Sequence, residues 1–202
     1  MRRGGIAALV AALFLGLTVL WWGTDGFTVY TAEGARRAAV AQNPRPLPAI
    51  ALEDQQGREV SLAGLRGKVV LLDFVYTRCP TVCTVLGAGF QQLRQQILAS
   101  GLQGQIVLLT FSFDPEHDGP AELREYADRY GGADDDWQFV RAPSRADTDR
   151  LLRAAELVAI PDGYGGYVHN AAIHILDREG RLARIVDTEA LDEAFELAQE
   201  LL

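Results

Sequence analysis

The sequence predicts an α/β domain with a central mixed sheet flanked by helices, preceded by one N-terminal transmembrane helix. Three observations carry this expectation. Residues 69–75 form a β-branched, apolar run that leads directly into a loop holding the chain's only two cysteines, Cys79 and Cys83. Strand-like and helix-like stretches then alternate to the end of the chain. Residues 4–23 carry no charge, and a helix of that length crosses a hydrocarbon layer of roughly 30 Å.

At the N-terminus, Arg2 and Arg3 precede the apolar span, and Trp21 and Trp22 close it where aromatic rings favour a membrane interface. The positive-inside bias puts the N-terminus in the cytoplasm and the body in a periplasm or equivalent space, on a single-pass inner-membrane anchor. A cleaved signal peptide is the rival reading. Its apolar core is usually shorter, about 7–15 residues, and no small-x-small site follows Trp22. Residues 24–48 read as a tether, with a short helix at 35–41 and an extended approach enforced by Pro44, Pro46 and Pro48.

The domain proper spans 49–202. A hairpin at 50–52 and 59–62 turns through Asp54-Gln55-Gln56-Gly57. The central strand follows, apolar except for Asp73, as suits a strand covered on both faces. Pro80 is well placed to open a helix. The helix at 85–98 shows Leu86, Phe90, Leu93 and Ile97 at packed-face spacing. A second strand lies at 105–113, a helix at 121–130 stopped by Gly131-Gly132, a third strand at 137–141 and a helix at 145–156. A glycine-rich loop at 161–167 delivers His169 and Asn170. Strands 171–176 and 182–186 form a hairpin, and a helix at 190–202 ends the chain. Parallel crossovers followed by an antiparallel hairpin and a helix, with cysteines at the first strand–helix junction, make a thioredoxin-like arrangement.

The formal net charge is -8; without Arg2 and Arg3, 17 basic side chains face 27 acidic ones. Nucleic-acid binding is dominated by basic phosphate contacts, so this body is a poor match for it. Both cysteines lie in one motif, so no disulfide framework supports the fold, and their role is chemical.

Cys79 and Cys83, at i and i+4, can turn both sulfurs one way. A helix N-terminus favours the thiolate. The pair is therefore either redox-active or a soft-metal site. CxxxC is wider than the CxxC of thioredoxin-type motifs, which suits two thiolates pinching one ion. Soft thiolates select Cu(I), zinc or iron–sulfur iron, and two cysteines cannot supply a four-thiolate site. His169 precedes a strand beside the cysteine loop, where thioredoxin-type enzymes carry a cis-proline. No proline follows Pro161 here, and a histidine in its stead argues for coordination over disulfide exchange. His174 lies on the opposite strand face and reads as structural. His117 is loop-borne, and Asp134-Asp135-Asp136 reads as a solvated turn.

Several separated motifs resemble the Sco/SenC family of membrane-anchored copper chaperones. They are Phe74-Val75-Tyr76-Thr77-Arg78-Cys79-Pro80-Thr81-Val82-Cys83, Ser112-Phe113-Asp114-Pro115-Glu116-His117-Asp118, the His169 loop and Leu176-Asp177. The resemblance implies a thioredoxin-like domain that binds copper, as Cu(I) or Cu(II), through Cys79, Cys83 and His169. It further implies delivery to the binuclear copper site of cytochrome c oxidase, with thiol reduction there credited to some members. Implied partners are the oxidase copper-site subunit, another periplasmic copper chaperone or a thiol reductase, and the inner membrane. Thr84 stands where the family usually has proline, and His117 also departs from the common pattern, which suggests a divergent branch.

The first functional expectation is therefore a copper metallochaperone, a carrier and not an enzyme. The second is a thiol-disulfide oxidoreductase or redox sensor using Cys79 and Cys83 without His169. A peroxiredoxin-like peroxidase is disfavoured, since that class wants Thr-x-x-Cys and Tyr76 occupies the threonine position.

Overall fold

The structure is a computed structural model and describes residues 2–24, 26, 31–79 and 82–202. The chain divides into two compact units, Met1–Gln42 and Asn43–Leu202.

The first unit holds two helices. α1 (Arg2–Gly23) is long and apolar enough to cross a membrane, and its Leu, Val, Phe and Trp side chains are exposed along its length. α2 (Ala32–Gln42) starts earlier than its sequence suggests, because the Thr31 hydroxyl accepts the Gly34 N–H at 2.9 Å. Glu33 then receives Arg36 and Arg37 from the next turn.

The second unit opens with a short edge strand, β1 (Arg45–Pro46), which pairs antiparallel with a strand near the other end of the chain. The proline-rich segment is thus extended, as expected, and also belongs to the sheet. An edge tolerates proline because one side of the strand needs no N–H donor. β2 (Leu52–Asp54) and β3 (Glu59–Val60) form the expected hairpin. Asp54 fixes its turn by accepting the N–H groups of Gln56 and Arg58. A 3-10 turn, Leu62–Leu65, leads to β4 (Val69–Val75), buried at every position.

α3 (Val82–Ala99) follows, then β5 (Ile106–Ser112), α4 (Pro120–Asp128), β6 (Trp137–Arg141) and α5 (Arg145–Ala154). The expectation that Pro80 opens α3 falls outside the described residues. Next comes a small separate hairpin, β7 (Ala159–Pro161) and β8 (Tyr167–His169), and after it β9 (Ile173–Leu176), β10 (Arg181–Val186) and α6 (Leu191–Glu200). The glycine-rich loop predicted at 161–167 is therefore the turn of a hairpin. Its strands are too short for alternation to show in sequence. The Asp162 carboxylate shapes the turn by accepting the N–H groups of Tyr164 and Gly166.

Among the described residues the main sheet has eight strands in the order β1-β10-β9-β4-β5-β6-β2-β3. β4, β5 and β6 run parallel, while β9 lies antiparallel to β4 on its other side. Helices α3 and α6 pack against each other and over the central strands, and α4 lies on β6 and β2. This is the thioredoxin-like arrangement, with one hairpin inserted before β9. Phe74, Phe90, Phe111, Trp137 and Phe139 fill the core, and burial of such rings dominates its stability. The fold thereby aims the C-terminal end of β4 at the N-terminal end of α3, where the cysteines sit.

Candidate functional site

The site begins where β4 leaves the sheet. The Cys79 N–H donates to the Tyr76 carbonyl at 3.1 Å, turning the chain back on itself. One helical turn later the Cys83 N–H donates to the Cys79 sulfur at 3.4 Å. Both cysteines are buried and stand as thiols, Cys79 at 8% exposure and Cys83 at 0%. The Cys83 carbonyl accepts the Tyr126 hydroxyl from α4 at 2.7 Å, which locks the start of α3.

The expectation that the helix N-terminus lowers both thiol pKa values fails for Cys83. Burial is the leading cause and pushes its thiol well up, and the neighbouring Cys79 sulfur adds to it. At full burial, desolvation of the charged form outweighs the helix dipole. The two thiols are thus unequal: Cys79 has a backbone N–H on its sulfur, while Cys83 is held in the protonated form.

Two buried aspartates pin the cysteine loop. Asp118 accepts the Thr77 N–H at 2.8 Å and the Thr77 hydroxyl at 2.7 Å, and also the Ser112 hydroxyl. Burial nevertheless raises its pKa. Asp114 receives Arg78 at 2.9 Å and His117 at 3.0 Å. Burial pushes its carboxyl up, but those two partners outweigh it and hold the group below the usual carboxylate range. His117, half-exposed, is therefore engaged as the partner of Asp114.

Asp73, beneath this turn, is fully buried opposite Thr110 on β5. Burial pushes its carboxyl up to about 7, and neither carboxyl oxygen has a hydrogen-bond partner among the described residues.

His169 ends β8, opposite Ala159. Its ring meets Phe113 edge-on at 5.2 Å. Both ring nitrogens are buried and have no hydrogen-bond partner among the described residues. Burial lowers its pKa, so the imidazole is neutral and has a lone pair to give. His174 behaves as expected of a structural histidine: it is fully buried, packs on Phe74 at 5.0 Å and reaches the Ala155 carbonyl at 3.1 Å.

An aromatic cluster joins the hairpin to the cysteine turn. Tyr76, Phe113 and Tyr167 touch pairwise, with ring centroids 5.3 to 5.5 Å apart. The structure thus brings Cys79 and Cys83 together on one turn and sets His169 in the hairpin that packs beside it. Among the described residues, however, no three His, Cys, Asp or Glu side chains stand in a metal-holding arrangement. Sequence reasoning passed over Asp73, Tyr76, Asp114 and Asp118 as site residues. Asp73 left a signal, a lone acid in an otherwise apolar strand.

The model of the SCO1/SenC family matches residues 43–201. The SCO1 protein homolog of Bacillus subtilis (strain 168) is 29% identical over 134 residues, 65% of this chain and 68% of that one. The structure of Bradyrhizobium japonicum ScoI with copper bound aligns with a TM-score of 0.66 at 25% identity, over 78% of this chain and 99% of that one. BsSco, a member of the Sco family of cytochrome c oxidase assembly proteins in which a disulfide switch has been identified, aligns with a TM-score of 0.69 at 24% identity, over 79% and 94% of the two chains, and shows the shared fold. Since the family match takes in every strand of the sheet and the turn that carries both cysteines, the chain belongs to the SCO1/SenC family.

Proposed function

We propose that this protein is a copper-binding metallochaperone that carries copper on Cys79, Cys83 and His169 and delivers it to the binuclear copper site of cytochrome c oxidase during assembly. The observation that carries the reading is the state of His169. A buried imidazole with neither nitrogen bonded forfeits free energy that a ligand would return. A neutral nitrogen donor beside two thiols is a donor set for a soft, monovalent ion. The copper-bound relative gives the identity of that ion its support. Loading then requires the β7–β8 hairpin to close on the cysteine turn. α1 anchors the protein as a single-pass inner-membrane component, with the copper-binding domain in the periplasm.

The test is an anaerobic Cu(I) titration of the reduced full chain in detergent against a competing chelator. One-to-one binding is expected, and Cys79→Ser, Cys83→Ser and His169→Ala should each weaken it by more than the roughly 10–100-fold that loss of an outer-shell partner costs. Affinity unchanged in His169→Ala would remove the histidine from the ligand set.

A second reading, a thiol-disulfide oxidoreductase, draws on the inequality of the thiols. Cys79 is the more accessible and its sulfur takes an N–H, whereas Cys83 is sealed in, as attacking and resolving thiols are arranged. That activity would survive His169→Ala.

A further inference from the structure

A cavity of about 420 Å³ opens beside Cys79, between the cysteine turn and α4. Among the described residues, Thr77, Arg78 and Cys79 line it from the turn, and Glu122, Glu125 and Arg129 line it from α4 and its end. Its volume falls among those of small-molecule sites, about 300–1,000 Å³. The polar groups of the lining are held from behind. Thr77 commits its N–H and its hydroxyl to the buried Asp118. One nitrogen of Arg78 meets Asp114, a carboxylate at 1% exposure, at 2.9 Å, which leaves the rest of the guanidinium to the cavity. Arg129 lies over the Tyr126 ring at 5.7 Å and pairs with Glu125 at 3.0 Å. Tyr126 is itself fixed by its bond to the Cys83 carbonyl. Glu122 accepts the Gly119 N–H at 3.0 Å through one carboxylate oxygen and keeps the other.

We propose that this cavity is a binding subsite for the disulfide of a small peptide thiol, one with a carboxylate at each end and one ammonium group, and that it presents the ligand's sulfur to Cys79. The lining carries two cations and two anions, so it suits neither a bare metal ion nor a ligand of one sign. Arginine grips a carboxylate with two parallel N–H groups, and Arg78 and Arg129 offer two such grips. Glu122 and Glu125 are left to face the ammonium. The chain as a whole has 27 acidic against 19 basic side chains, so anions are repelled in general and the two arginines make a local exception. Because both are already anchored, they lose little freedom when a ligand binds. The reaction is exchange. The Cys79 sulfur attacks the ligand disulfide, a Cys79–ligand S–S bond forms, the ligand's own S–S bond breaks, and the departing thiolate takes up the Cys79 proton. Attack by Cys83 on the mixed disulfide then closes the Cys79–Cys83 bond and releases the second thiol. The protein loses two electrons and the ligand disulfide gains them. The inference rests on the thiol-exchange reading of Cys79 and Cys83 and needs no copper.

Two probes test it: glutathione disulfide, which has this charge pattern, and bis(2-hydroxyethyl) disulfide, which has no charge. The reduced, metal-free full chain in detergent is mixed with each, and each rate is divided by that of the same disulfide with free dithiothreitol. The corrected rate for glutathione disulfide is expected to be the higher by about tenfold, the product of about threefold from each half-exposed arginine. High salt should narrow that gap. Arg78→Gln and Arg129→Gln should each narrow it about threefold. The wild-type comparison requires no variant, so a substitution that disturbs folding does not decide the matter. Corrected rates that are equal or favour the neutral probe, or a gap that survives both substitutions, would overturn the subsite and leave thiol exchange standing. No reaction with either probe would overturn both.

Discussion

Asp73 shows most plainly how one residue sets a property of the whole protein. It is the acid in a strand whose every position is buried, and its carboxyl is pushed up from 3.8 to about 7 by loss of water. Below pH 4 the group is protonated in folded and unfolded chains alike. As pH rises towards 7, the unfolded chain releases the proton while the folded chain retains it, so stability falls across that interval and levels off above it. Each decade of pH in that window is worth about 1.4 kcal/mol, so the whole interval amounts to about 4 kcal/mol. Asp73→Asn keeps the shape and abolishes the titration. Urea unfolding at pH 5 and pH 8 should show the variant gaining about 3 kcal/mol on the wild type between the two values. Parallel behaviour would mean that Asp73 is better solvated or better paired than its burial implies.

At the scale of elements, α3 meets the segment after α4 at Gly87. A Cβ there would lie 2.3 to 2.7 Å from atoms of the Tyr130 ring. That ring has little freedom, since it packs on Tyr126 at 5.2 Å and Trp137 at 6.5 Å. Gly→Ala inside a helix normally gains up to about 1 kcal/mol, whereas overpacking a core costs about 1–3 kcal/mol. The cost should win: Gly87→Ala is expected to lower the unfolding free energy by a net of about 1 kcal/mol, read as a lower urea midpoint at unchanged slope, and a raised midpoint would show that Tyr130 yields. Such contacts were not legible in the sequence, because a glycine within a helix does not reveal what packs against it. The elements themselves were legible wherever periodicity ran long enough. β4, β5 and α3 followed directly from apolar runs and from Leu86, Phe90, Leu93 and Ile97. The two-residue β1 and the β7–β8 hairpin were missed as strands, since they carry too few residues to alternate. The cysteines stood out as a pair because both lie in one motif, and the structure holds both as buried thiols. The inequality between them was not legible, because it depends on how deeply Cys83 is buried.

At the scale of the whole molecule, an apolar helix is joined to an acidic, folded unit, and each has its own requirements. α1 exposes Phe14 at 74% and Trp22 at 79%, and the other large side chains along it are similarly bare. In water such a surface is unstable: at about 25 cal/mol per Å², every buried aromatic ring of this size is worth several kcal/mol. An uncharged stretch of this length satisfies its own backbone hydrogen bonds and so can enter hydrocarbon without penalty. The remaining body, with its excess of acidic groups, gains nothing from an anionic lipid surface and should be repelled by it. Attachment should therefore be hydrophobic and indifferent to salt. In a vesicle flotation experiment the full chain is expected to rise with both neutral and anionic vesicles, at low salt and at 1 M alike. A chain of residues 43–202 should remain in the aqueous fraction and retain its cooperative unfolding, since every strand of the sheet lies within that unit. Binding that disappears at high salt would assign the attachment to charge. Flotation of the shorter chain would assign it to the exposed apolar outer face of the β7–β8 hairpin, where Ile160 and Val168 stand side by side.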